Sequence, residues 1–190
     1  MLEWFYKNQR ILPFRTDPSP YHVWLSEIML QQTRVSAALP YYERFLAALP
    51  DIPALAACEE EKLHKLWEGL GYYSRVRNLQ KAARIVCEQY GGQLPADHDA
   101  LRALPGIGDY TAGAIASISF GLAVPAVDGN VLRVFSRLYN DPGRYYRTGG
   151  KTSFYGPGHG ASASRKGGRL QSGSDGAGRT GLCAERRTAL

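Results

Sequence analysis

Up to about residue 139 the apolar positions recur every three or four residues, with helix punctuation between the runs. That period belongs to amphipathic α-helices, and no convincing strand pattern interrupts it. Asp17-Pro18-Ser19-Pro20 leads into a predicted helix over 21–30. Val35, Leu39, Tyr42, Phe45 and Leu46 mark a second helix, with Pro40 inside it and therefore an expected kink or break. Leu63, Leu66 and Trp67 close a third run at Gly69. Residues 74–90 carry Val76, Leu79, Ala83, Ile85 and Val86 at helical spacing and stop at Gly91-Gly92, where glycine supplies the left-handed turn that ends many helices. Helices over 99–104, 110–120 and 130–139 complete an all-α layout with short joints.

After Tyr139 this pattern is lost. Residues 139–190 hold 12 of the 21 glycines but only three residues from the set Leu, Ile, Val and Met, namely Leu170, Leu182 and Leu190. A segment so poor in aliphatic side chains cannot bury enough surface to offset its chain entropy. The expected organisation is a helical domain over 1–139 and a disordered, Gly-rich basic tail over 140–190.

Composition narrows the class. With 190 residues, 44% of them hydrophobic and 11% aromatic, the chain can build one globular core. It has neither a run of 18 apolar residues nor the residue order of a signal peptide, so an intracellular protein with no membrane partner is expected. Cys58, Cys87 and Cys183 are odd in number and far apart, which writes neither a disulfide framework nor a close-spaced metal site. The net charge of +6 invites a nucleic-acid reading, but its location removes that inference from the helical part. Residues 1–138 hold 14 Lys+Arg against 14 Asp+Glu, whereas 139–190 hold 9 against 3 and carry the whole excess.

Three stretches carry candidate chemistry. Leu104-Pro105-Gly106-Ile107-Gly108, between two predicted helices, reads as a helix-hairpin-helix. Its glycines let backbone N–H groups approach a phosphate, and the next helix adds its positive end. A turn built for purely structural reasons would look the same. In Trp24-Leu25-Ser26-Glu27-Ile28-Met29-Leu30-Gln31-Gln32-Thr33, Glu27 sits on a mostly apolar helix. Buried there, its carboxyl would hold a proton nearer neutral pH and could act as an acid; facing solvent, it would do neither. In Val124-Pro125-Ala126-Val127-Asp128-Gly129-Asn130-Val131, Asp128 stands at a loop-to-helix junction, where a plain helix cap is the alternative. A pair of carboxyl groups is what glycosidic cleavage uses, one protonating the leaving group and one stabilising the cationic sugar.

The phrases SEIMLQQT, GLGYYSRVRNL, LPGIGDYTAGAIAS and VDGNVLRV, in this order and spacing, closely resemble the MutY branch of the helix-hairpin-helix glycosylase superfamily over residues 4–139. The resemblance implies a six-helix glycosylase core. Its implied activity is hydrolysis of the adenine–deoxyribose bond in duplex DNA carrying adenine opposite 8-oxoguanine or guanine, by a monomer. By position, Glu27 matches the acid that protonates adenine and Asp128 the carboxylate that stabilises the sugar. Asn130 matches the neighbour that helps hold that aspartate, and Tyr110 a tyrosine near the reaction centre. Leu30, Gln32 and Thr33 match the element that presses into the duplex, and Tyr72, followed by Tyr73, the aromatic wedge beside the oxidised guanine. Gly106, Gly108 and Thr111 fall on the hairpin that grips the backbone, and Arg15 matches a position near the adenine pocket. Packing in the core is the alternative for the tyrosines. Relatives with lyase activity carry a lysine where this chain has Tyr110, and a phenol cannot form their Schiff base, so base removal without strand cleavage is expected. An endonuclease III-type enzyme for damaged pyrimidines and a non-catalytic DNA-binding fragment are the alternative functions.

The resemblance also implies features this chain does not show. They are further helices packed on the N-terminal one, four cysteines holding a 4Fe-4S cluster, and a domain for oxidised guanine. Without that packing, the N-terminal helix with Trp4, Phe5 and Ile11 is expected to expose an apolar face, and full activity is not expected. No cofactor or metal is expected, since Cys183 alone cannot hold a cluster. The tail itself invites a reading in another frame. Codons for residues 170–190 can be chosen so that the string, read one nucleotide later, encodes FNQALMELGALVCAPNAELP, which resembles the family's next helix and first cluster cysteine. A frameshift between about residues 139 and 170 is therefore expected.

Overall fold

The computed structural model describes residues 2–9 and 11–140. The expected disorder and the reading-frame question concern residues beyond Asn140, outside the described ones, as does Cys183. Ten helices are described: α1 (Leu2–Asn8), α2 (Pro13–Thr16), α3 (Pro20–Met29), α4 (Val35–Ala48), α5 (Ile52–Ala57), α6 (Glu60–Trp67), α7 (Ser74–Tyr90), α8 (His98–Ala103), α9 (Asp109–Phe120) and α10 (Gly129–Leu138). Among the described residues there is no strand, so the all-α expectation holds. Six of the helices, α3, α4, α6, α7, α9 and α10, have eight residues or more. One compact unit holds the described chain up to Ala126, and a second begins at Val127.

Local chemistry fixes the helix ends. Ser19 Oγ accepts from the His22 amide at 3.4 Å ahead of Pro20, Asp51 Oδ1 from Ala54 at 2.7 Å, and Asp97 Oδ1 from Ala100 at 2.8 Å. Each satisfies one of the amides that a first turn leaves without a carbonyl. Gly91 and Gly121 close α7 and α9 in the left-handed conformation. The expected break at Pro40 is absent: α4 runs through it. Pro40 is exposed in the second turn, where only the Ser36 carbonyl is denied its donor, and burial of Ala38, Tyr42 and Phe45 holds the helix together. The pattern also missed the short helices α2 and α5, of four and six residues.

Two helices in the first unit are enclosed on nearly all sides. In α3 Tyr21 and every residue from Val23 to Met29 are buried, as is every residue from Thr111 to Ser117 in α9. The two pack together, with α8 also against α9, α5 against α7 and α4 against α6. Trp24, Phe45, Leu55, Leu63, Trp67, Val76, Leu101 and Ile115 fill the core between them. Small residues on α9 permit close approach. A side chain at Gly113 would run into the Pro125 carbonyl, so the segment before Ala126 lies directly on the helix. At the other end of the chain Trp4 and Ile11 stand exposed.

Candidate active site

The enclosure of α3 places Glu27 inside the core rather than facing solvent. Its side chain is 6% exposed, one of few buried polar groups in the core. A carboxyl group removed from water is costly to ionise without a partner. Arg15, on α2, brings Nη2 to 3.8 Å from Glu27 Oε1. Phe14, buried and edge-on to Tyr42 at 5.7 Å, anchors the short helix that carries Arg15. Arg15 is itself 44% exposed, so the pair is loose and partly screened by solvent.

Two loops in the first unit present the residues expected to probe a duplex. In the loop after α3, Leu30 and Thr33 are half-buried and Gln32 is exposed with a φ of +58°. In the loop before α7, Tyr72 has a φ of +48° and is 65% exposed. Core packing is therefore not its role. Side chains other than glycine cost about 1–2 kcal/mol in this conformation. Tyr73 is less exposed and meets His64 edge-on at 5.5 Å. Gly69 and Gly71, both at positive φ, and a Trp67 Nε1–H bond to the Gly71 carbonyl at 3.0 Å shape this second loop. Arg75, which sequence reasoning did not single out, donates to both loops. Its only sequence signal is its place three residues after Tyr72 in the GLGYYSRVRNL phrase.

The hairpin forms between α8 and α9. Leu104 and Ile107 are buried anchors, and the Ile107 amide donates to the Leu104 carbonyl at 3.2 Å. The two glycines differ in cause. Gly106 has a φ of +79° and lies against Asn78, where an added Cβ would sit 2.9 Å from the Asn78 Cβ. Gly108 caps α9 with extended backbone and open space around the missing side chain, so neither its φ nor its packing demands glycine there. Tyr110 is half-buried in the first turn of α9. Thr111, in the same turn, is buried.

In the second unit Asp128 caps α10. Its Oδ1 accepts from the Asn130 amide at 3.0 Å and the Val131 amide at 2.8 Å, and its Oδ2 from Asn130 Nδ2 at 2.8 Å. Arg133 Nη1 donates to Asn130 Oδ1 at 2.9 Å and continues the chain of contacts. The carboxylate is thus held in one orientation by three donors. Glu27 and Asp128 stand in different units.

Among the described residues no group of three or more His, Cys, Asp or Glu could hold a metal ion, and no helix is long and apolar enough to cross a membrane. Cys58 is buried at the end of α5 with Sγ–H donating to the Glu59 carbonyl at 3.4 Å, and burial pushes its thiol up, away from the thiolate that binds iron. The chain has three cysteines in all and does not fit a four-thiolate cluster.

Residues 25–149 match the family described as HhH-GPD superfamily base excision DNA repair protein. Adenine DNA glycosylase of Mus musculus is 46% identical over 147 residues, covering 73% of this chain and 28% of that protein. Adenine DNA glycosylase of Buchnera aphidicola subsp. Acyrthosiphon pisum is 43% identical, covering 75% of this chain and 41% of that protein. The chain therefore spans well under half the length of either relative. A thermostable thymine-DNA glycosylase superposes with a TM-score of 0.67 at 28% identity, covering 71% of this chain and 63% of that one. A trapped endonuclease III–DNA covalent intermediate gives 0.64 at 27% identity, covering 72% and 63%. The chain belongs to the HhH-GPD superfamily of base excision DNA repair proteins, and the sequence relatives that bear out the expected resemblance are adenine DNA glycosylases.

Proposed function

We propose that this chain carries the catalytic core of an adenine-specific N-glycosylase. Its substrate is duplex DNA with adenine opposite 8-oxoguanine or guanine, and it acts as a monomer without cutting the strand. The observation that supports this reading most directly is the buried carboxyl of Glu27 in α3. Glu27 protonates the adenine ring, which then leaves with the glycosidic electron pair. Asp128, oriented by Asn130 and the first amides of α10, stabilises the positive sugar until water adds to its anomeric carbon and releases a proton. Arg15 orients Glu27. Leu30, Gln32, Thr33, Tyr72 and Tyr73 part the bases. An exposed ring at Tyr72 suits that work, since unstacking a base costs a few kcal/mol and stacking on an aromatic returns about 1–3. The open surroundings of Gly108 favour the hairpin as a phosphate grip, with backbone N–H groups of α9 as donors.

Single-turnover release of adenine from an 8-oxoguanine:adenine duplex tests this. Release sensitive to Glu27→Gln supports it. Binding without release makes the chain a non-catalytic DNA-binding fragment, and release of a damaged pyrimidine instead makes it an endonuclease III-type enzyme. Substituting Tyr110→Lys should create borohydride-trappable DNA adducts that the parent does not give. Adducts from the parent would end the monofunctional reading.

A further inference from the structure

Arg75 is the second residue of α7, half-buried, and its guanidinium serves two loops far apart in sequence. Nη1 faces the end of α3 and the loop beyond it, within reach of the carbonyls of Ile28 at 3.1 Å, Met29 at 3.1 Å and Gln31 at 2.5 Å, and of Thr33 Oγ1 at 3.4 Å. Nη2 faces the loop before α7, donating to the carbonyls of Leu70 at 3.0 Å and Gly71 at 3.2 Å. The Trp67 and Tyr72 rings lie 5.4 and 5.5 Å from the guanidinium carbon. Ile28 and Met29 are in the last turn of α3, beyond which no further helical turn supplies donors; the Gln31 amide reaches the Ile28 carbonyl at 3.4 Å, and Arg75 serves both carbonyls. A planar fork is needed to serve both directions at once, and a lysine ammonium on its flexible stem does not reproduce it.

The same two loops hold Gln32 and Tyr72, the two non-glycine residues at positive φ among the described residues of the first unit. Such backbone persists only where its surroundings over-determine it, and Arg75 is the determinant the two loops share. We propose that Arg75 is a positioning residue that locks the loops at 30–33 and 69–73 into one rigid element, so that the exposed Gln32 and Tyr72 side chains meet a duplex together. The lock is a property of the free chain. Its consequence on DNA rests on the glycosylase reading. Burial, the largest influence, draws the Arg75 guanidinium below its ordinary pKa, with Tyr72 acting in the opposite sense.

The test uses the full chain and Arg75→Lys, which keeps the charge. By hydrogen exchange of the free proteins, amides at both 30–33 and 69–73 should exchange at least ~10-fold faster in the variant, with α9 unchanged. Loosening of one loop alone, of neither, or of α9 equally would overturn the lock. On duplex DNA, the affinity losses from Gln32→Ala and Tyr72→Ala should be non-additive in the parent and additive beside Arg75→Lys. Additive losses in the parent overturn the proposal even where Arg75→Lys fails to fold. A parent that binds no duplex refutes the glycosylase reading instead, and hydrogen exchange then decides the lock by itself.

Discussion

Single side chains carry two predictions that separate chemistry from scaffolding. Glu27→Gln and Asp128→Asn should each abolish adenine release while leaving duplex affinity within a few fold, because each removes one of the two proposed catalytic carboxyl groups and little volume. Asp128→Asn can still accept through its amide oxygen, so the α10 cap is weakened rather than lost. Either variant releasing adenine at the parent rate would refute the assigned roles. The hairpin glycines form the second pair. Gly106→Ala meets Asn78 and a φ of +79°, and should cost about 1–2 kcal/mol of stability in a denaturant titration. Gly108→Ala meets neither obstacle and loses only the preference of an N-cap for glycine over alanine, so it should cost less stability than Gly106→Ala, and it should weaken DNA binding by crowding the phosphate. Equal stability losses at both positions would show that Gly108 serves the fold after all.

Helix packing sets the response to alkali. Tyr21 on α3 donates its hydroxyl to the Leu49 carbonyl at 2.9 Å, and burial, followed by the charge of Asp51, holds its phenol above the ordinary range. Tyr42 on α4 is pushed up to about 12, by burial first and Asp17 second. A phenol whose folded pKa exceeds the unfolded one near 10 gives its full contribution to stability below that pH, and loses it as pH rises towards the folded value. The melting temperature should therefore hold steady to about pH 9.5 and fall beyond pH 10, less steeply for Tyr42→Phe. A Tyr42→Phe chain as sensitive as the parent would exclude this cause. Element ends such as those at Ser19, Asp128 and Gly91 were legible in the sequence because the bonds that fix them span two to five residues. The burial of Glu27 was not, because α3 is enclosed on nearly all sides and lacks the polar face against which a buried position stands out. Nor was the work of Arg75. Its acceptors lie four and five residues away on one side and 42 to 47 on the other, and no local period records the second set.

At the scale of the whole molecule, charge and aliphatic content divide at the same place. Residues 1–138 balance their charges and build the helices, while 139–190 hold the entire +6 and three aliphatic side chains from the set Leu, Ile, Val and Met. A basic tail that touches nucleic acid would explain the charge, but it would leave unexplained why the aliphatic pattern stops within a few residues of α10. A shifted reading frame explains both, because out-of-frame translation keeps neither the hydrophobic period nor the charge balance of a folded segment. It also accounts for the overlap at 170–190, where one nucleotide string can encode both LQSGSDGAGRTGLCAERRTAL and the helix-like FNQALMELGALVCAPNAELP. The prediction is that the coding sequence, read one nucleotide later across 170–190, gives that second phrase or a close variant without a stop codon. The chain translated after correcting the frame should bind iron, show the broad visible absorbance of an iron–sulfur cluster, and release adenine faster than the present chain. A stop codon there, or a plus-one frame with no helical phrase, refutes the shift. The tail's nine basic residues would then count as a real electrostatic footprint, and duplex affinity should fall steeply with added salt.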